Sequence, residues 1–176
     1  MVLPTPRWQH LGGLSDPALN DLPVEVGRSD GWYATDGPWP YRLGIDPALL
    51  DPVRPRLRRV RWGRGRYGAP YSLDVYGDES VVMLGLRGSS ADEIGMLVRL
   101  DSGLTLLIVG DAVWRQEQVT DLRPRPAWST WFLDRNRMQL ANTQRWMNAL
   151  NRDSHVVVVP LADARMAIAE YPDWAD

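Results

Sequence analysis

The chain contains no cysteine. Disulfides, a thiolate nucleophile and any zinc or iron–sulfur centre built on cysteine are therefore excluded. Lysine is missing too, since all 20 basic residues are arginine. That reads as a compositional bias, but it removes lysine from the possible catalytic bases and Schiff-base formers. No apolar run approaches the roughly 20 residues that a membrane-spanning helix needs. The N-terminus has no apolar stretch preceded by positive charge, so no signal peptide is expected. A large charge imbalance is also missing: the net charge is −2 and the pI about 5.7, which does not mark a polyanion binder. The expectation is a soluble, cytoplasmic protein.

What is present is enough for a core. Hydrophobic residues make up 44% of the 176 residues, with nine tryptophans among them. Residues 1–176 are expected to form a single domain. The first half is punctuated by Pro and Gly. Ser15-Asp16-Pro17 and Asp46-Pro47 mark capped helix starts, Val24–Val26 reads as a strand, and Ser29-Asp30 opens a helical turn carrying Trp32 and Tyr33. The second half is more regular. Tyr71–Tyr76 and Ser80–Leu84 read as strands, and Met96–Leu100 with Leu104–Val109 as a hairpin about Asp101-Ser102-Gly103. The spacing of Leu133, Leu140 and Met147, with Thr143 and Leu150 beside them, predicts one long helix over Trp128–Leu150. His155–Pro160 is a β-branched run of the kind buried on both faces of a sheet. A short helix is expected from Asp163 to Glu170. Strands followed by a helix and a buried strand give an α/β layer with helices covering a sheet.

Four segments, in order, resemble motifs of the metallo-β-lactamase superfamily, in particular its lactonase-like hydrolases. VLPTPRWQHLGGL is similar to the first metal motif, a strand running into His-x-His-x-Asp-His before Gly-Gly. LRGSSADEIGMLVRL resembles the next ligand-bearing loop and the strand after it. TLLIVGDAVW resembles the strand ending in the Gly-Asp-Ala motif, whose Asp bridges two metals. VVVVPLADA resembles the last strand and the loop carrying the final histidine. The resemblance implies a partial αβ/βα sandwich, with mixed sheets flanked by helices, lacking much of the N-terminal half. Such a chain would leave a sheet face or edge uncovered, so a homo-oligomer or a covering partner protein is expected.

The ligand positions implied by the resemblance depart from the family. Thr5, Arg7 and Gln9 stand at the leading positions of the first motif, and His10 remains. Ser89 replaces the next histidine, Glu93 the one after it, and Ala162 the last; Asp111 is retained. Catalytic zinc takes three or more strong protein ligands plus water, and Arg offers no lone pair. The residues Thr5, Arg7, Gln9, His10, Ser89, Asp111 and Ala162 are thus expected to form a vestigial site without metal or catalytic residues. His10 and Asp111 are the pair left to hold a residual ion weakly. Arg7 and Asp111 can instead form an ion pair, Arg substituting for the lost cation. Ser89, His10 and Asp111 also have the types of a triad, which only geometry can establish.

Two further groups stand out. Trp32, Tyr33, Trp39 and Tyr41 flank a Pro/Gly loop and suit a ligand pocket or an interface. Arg54–Arg66 holds seven arginines, of which Arg58, Arg59 and Arg61 form a candidate nucleic-acid patch beside Trp62; the alternative is a solvated strand edge. The expected function is therefore a non-catalytic metallo-β-lactamase-fold protein, a pseudoenzyme used for binding or interaction. The alternatives are a lactone- or ester-type hydrolase with a nonstandard or partner-completed site, and an Arg-patch nucleic-acid binder. No membrane partner is expected.

Overall fold

The computed structural model describes residues 1–38, 44–153 and 155–163. Its centre is a six-stranded sheet in which each strand pairs with the next in chain order. The strands are β3 (Gly63–Arg64), β4 (Tyr71–Asp74), β5 (Val81–Leu86), β6 (Glu93–Arg99), β7 (Thr105–Val109) and β8 (Val156–Pro160). Neighbours are antiparallel from β3 to β7, whereas β8 runs parallel to β7, with Leu107 opposite Val158. Parallel pairing requires a crossover, and the helices α3 (Glu117–Thr120), α4 (Ala127–Leu133) and α5 (Arg137–Leu150) supply it.

Alternation along the strands makes two apolar faces. Val82, Leu84, Leu86, Leu97, Leu107, Val109 and Val158 face α5, where Leu140 and Met147 complete the main core. The opposite face divides. Met83 and Ile94 pack with Val60, while Leu106, Val157 and Val159 form a separate cluster whose neighbours Val98, Leu100, Leu104 and Ile108 are only partly buried.

The N-terminal third forms a smaller unit: β1 (Val24–Val26), α1 (Arg28–Thr35), α2 (Pro47–Leu50) and β2 (Leu57–Arg59), with β1 and β2 parallel. Its core is Leu3, Leu14, Val24, Val26, Ile45, Leu50 and Val53. Asp46 caps α2 through the Ala48 amide, and Asp16 caps a 3-10 turn through the Ala18 amide, as their Asp-Pro sequences imply. The chain's start is tied to both units: Leu3 N–H donates to Glu25 O at 2.9 Å, and Ile94 N–H donates to Pro4 O at 2.9 Å.

Two expectations need correction. The opening stretch, residues 1–14, reads in sequence as a short strand and a Gly-containing turn, but makes an isolated bridge at Val2 and then 3-10 turns, Trp8–His10 and Gly12–Ser15. The helix expected over Trp128–Leu150 is two helices, α4 and α5. Asp134 leaves the helical path to pair with the buried Arg125, and Asn136 restarts it by accepting from the Gln139 amide. The gap docks on the β5–β6 loop, where Asn136 N–H donates to Gly88 O at 2.9 Å. Heptad spacing continues across the break, so periodicity alone could not reveal it. The helix expected over Asp163–Glu170 lies outside the described residues beyond Asp163, where a 3-10 turn, Leu161–Asp163, stands.

Candidate functional site

Three loops meet at the end of the sheet where β7 stops. One carries Arg7, Gln9 and His10, the second joins β5 to β6 and carries Ser89, and the third is Gly110-Asp111-Ala112. Gly110 allows the approach, because a Cβ there would lie 2.3 Å from Glu93 Oε1 and 2.7 Å from Pro4 Cβ.

Asp111 is the hub. Arg7 Nη1 donates to its Oδ2 at 2.9 Å, Gln9 Nε2 reaches both oxygens at 3.0 and 2.9 Å, and His10 Nε2 lies 3.1 Å from Oδ1. The Arg7 side chain is 4% exposed. Its Nη2 donates to the carbonyls of Ser89 at 2.6 Å and Leu133 at 2.5 Å. A cation therefore does sit among these loops, and it is a side chain. Burial alone would raise the Asp111 carboxyl, but the hydrogen bond from His10 and the charge of Arg7 outweigh it and hold the group below its ordinary range.

Beneath lies Glu93, fully buried. It accepts from Ser89 Oγ and from the Ala112 amide. Burial and the neighbouring Asp111 charge push its carboxyl up to about 7. Ser89 is thus committed to Glu93 and not to His10, so the three triad-type residues do not form a Ser-His-Asp relay. Two residues missed in the sequence complete the network. Arg125 pairs with Asp134 at 2.5 Å, both side chains almost wholly buried. Arg125 also donates to the Asp111 carbonyl and lies 4.1 Å from the Trp114 ring centre. In the sequence Arg125 stands three residues before the predicted helix and Asp134 within it, and neither position distinguishes them from surface residues.

His10, Asp111 and Ala162 line an open cleft of about 1040 Å³ walled by Trp8, Trp114 and Leu133. Thr5, Arg7 and Ser89 line a crevice of about 20 Å³ on the inner side. Tyr33 borders that crevice and accepts from Arg135 at 2.7 Å, edge-on to Trp32. Trp39 and Tyr41 lie outside the described residues. The candidate nucleic-acid patch is divided: Arg59 and Arg61 line a second cleft, whereas Arg58 falls on the other face of β2.

The donor set does not suit a zinc centre. Among the described residues no group of three or more His, Asp or Glu is placed to hold a metal ion. Both Asp111 oxygens are taken by protein donors, and the Arg7 charge opposes a cation beside it.

Scanning the sequence against protein-family models gives no match, and a search of curated proteins gives none either. Solved structures do match. B. thuringiensis AiiA, as a mutant with N-decanoyl-L-homoserine bound at the active site, aligns with a TM-score of 0.64 at 14% identity, over 96% of this chain and 57% of its own. An N-acyl homoserine lactone hydrolase with N-hexanoyl-L-homoserine at its catalytic metal centre aligns with a TM-score of 0.64 at 13% identity, over 96% and 57%. AidC, a dizinc quorum-quenching lactonase, aligns with a TM-score of 0.60 at 15% identity, over 90% and 55%. The architecture is the metallo-β-lactamase fold, and the chain spans a little over half the length of these structures. No described helix is long and apolar enough to cross a membrane.

Proposed function

We propose that this chain is a non-catalytic protein of the metallo-β-lactamase fold that binds its ligand or partner through the cleft above Arg7 and Asp111. The observation that carries the reading is the buried Arg7 guanidinium, bonded to Asp111 and two carbonyls where the resemblance places metal ligands. An internal ion pair supplies charge balance but neither an activated hydroxide nor a Lewis acid. The partly buried Val98, Leu100, Leu104 and Ile108 on the second sheet face support association with a second copy or another protein.

A lactone- or ester-type hydrolase is the second reading. His10, oriented by Asp111 and lining the cleft, favours it, as does the activity of the matching structures. One experiment separates them. Metal per chain is measured on protein purified without chelator, and lactone and ester turnover is assayed with and without added zinc. The first reading expects negligible metal and no turnover above background. Near-stoichiometric metal, with turnover abolished by Asp111→Asn, would overturn it.

A further inference from the structure

A second cleft, also of about 1040 Å³, is lined by α1, β2 and the segment after β2 on one side, and by Tyr71 of β4 and the loop after β5 on the other. Its wall is basic in a chain of net charge −2. Arg28, Arg54, Arg59, Arg61 and Arg87 all line it, and the acidic residue lining it, Asp92, is buried. Some of this charge is spent internally. Arg54 pairs with Asp51 and Arg59 with Asp36. Among the described residues the Arg87 side chain is held by Tyr71, donating to its hydroxyl with the guanidinium carbon 4.8 Å from the ring centre. The side chains of Arg28 and Arg61 have no hydrogen bond or ion pair among the described residues. The exposed guanidiniums of Arg28 and Arg61 thus carry no described counter-charge, and an anion with several oxygens supplies one.

The cleft also holds an ordered aromatic wall. Trp62 and Tyr71 lie near-parallel, 23° apart with centroids 6.5 Å from each other. Trp62 is fixed by its indole N–H, which donates to Asp92 Oδ2 at 2.9 Å. The same oxygen accepts from the Ser29 amide at the start of α1. Tyr71 fits because Gly85 leaves space; a Cβ there would lie 3.2 Å from the ring. A fixed aromatic wall under free guanidiniums matches a ligand with a planar ring at one end and negative oxygens at the other.

We infer that this second cleft binds a phosphorylated ligand bearing a planar base, with the phosphate on Arg28, Arg61 and Arg87 and the base against Trp62. A free nucleotide and a length of single-stranded nucleic acid share that chemistry. The site is separate from the Arg7–Asp111 cleft, so the inference stands whether or not the proposed function does.

The test titrates ATP without metal, and a fluorescein-labelled twelve-residue oligo(dT), into the full chain at low salt. Tryptophan quenching and anisotropy are the readouts. Arg28→Ala and Arg61→Ala are expected to weaken binding about tenfold each, since each removes one phosphate contact. Neither side chain has a described partner, so folding should persist, checked by circular dichroism. Arg58→Ala removes the same charge from the other face of β2 and is expected to change binding less than about twofold. ATP binding in the same range as the oligonucleotide identifies a free nucleotide. Oligonucleotide binding alone, falling steeply with salt, identifies a strand. Three results would overturn the inference: no binding of either probe, an equal loss in Arg58→Ala, or binding of inorganic tripolyphosphate, which has no base, as tight as that of ATP.

Discussion

Arg7 Nη1 lies 2.9 Å from Asp111 Oδ2, across 104 residues of sequence. The contact fastens the opening loop of the chain to the end of β7, deep enough that both side chains are nearly sealed from water. Its energetics are asymmetric. A buried pair gains little over apolar residues of equal volume, but losing one partner strands a charge.

Arg7→Ala should therefore destabilise the fold by roughly 3 to 5 kcal/mol, the range for a buried pair broken on one side. In a domain of this size that lowers the melting temperature by about 10 °C. The double variant Arg7→Met/Asp111→Leu should recover much of the loss. Calorimetry on the three proteins checks this, and an unchanged melt in Arg7→Ala would remove the ion pair from the account of stability.

Glu93 predicts a pH dependence of definite sign. Its carboxyl is raised from 4.5 to about 7, so between those values the folded chain holds a proton that the unfolded chain releases. Stability then falls as pH rises through that window and levels above it. Asp30 and Asp134, also raised by burial, tilt stability the same way. Asp111 acts oppositely and only in acid, where stability is lost as pH falls through its depressed value. Glu93→Gln, which keeps an acceptor for Ala112 N–H, should flatten the slope across pH 5 to 7 in denaturant melts. A slope identical to that of the parent would assign the effect to Asp30 and Asp134.

Gly88 sits at φ +119°, and a Cβ there would lie 2.2 Å from the Leu140 amide nitrogen. Gly88→Ala should push α5 off the β5–β6 loop and cost about 2 kcal/mol or more. Asn136→Ala removes only the cap on α5 and should cost about 1 kcal/mol. Urea unfolding of the two variants tests the order; the reverse order would mean that the loop yields more readily than the helix start.

The element types and their order were legible from local chemistry. Asp-Pro pairs start turns because a side-chain oxygen caps the next amides and Pro presets φ. Near-continuous apolar runs in 81–86 and 105–109 make strands apolar on both faces, because period two sends successive side chains to opposite sides. Arg7, Ser89 and Asp111 could be singled out through a resemblance of spaced motifs, and the pairing of Arg7 with Asp111 could be posed as a question of charge balance. Other features depend on contacts between distant segments and carry no local period. Arg125 and Asp134 reveal themselves as a buried pair only once α4 closes over the Asp111 loop. The break after Leu133 follows from the docking of Asn136 on Gly88. Arg58 and Arg59 are adjacent in one basic run, yet only Arg59 faces the second cleft, because β2 pairs with β1, Arg59 opposite Val26, and fixes which side each arginine takes. Sequence determines which groups are available; the register of strands and the closure of loops decide which of them share a site.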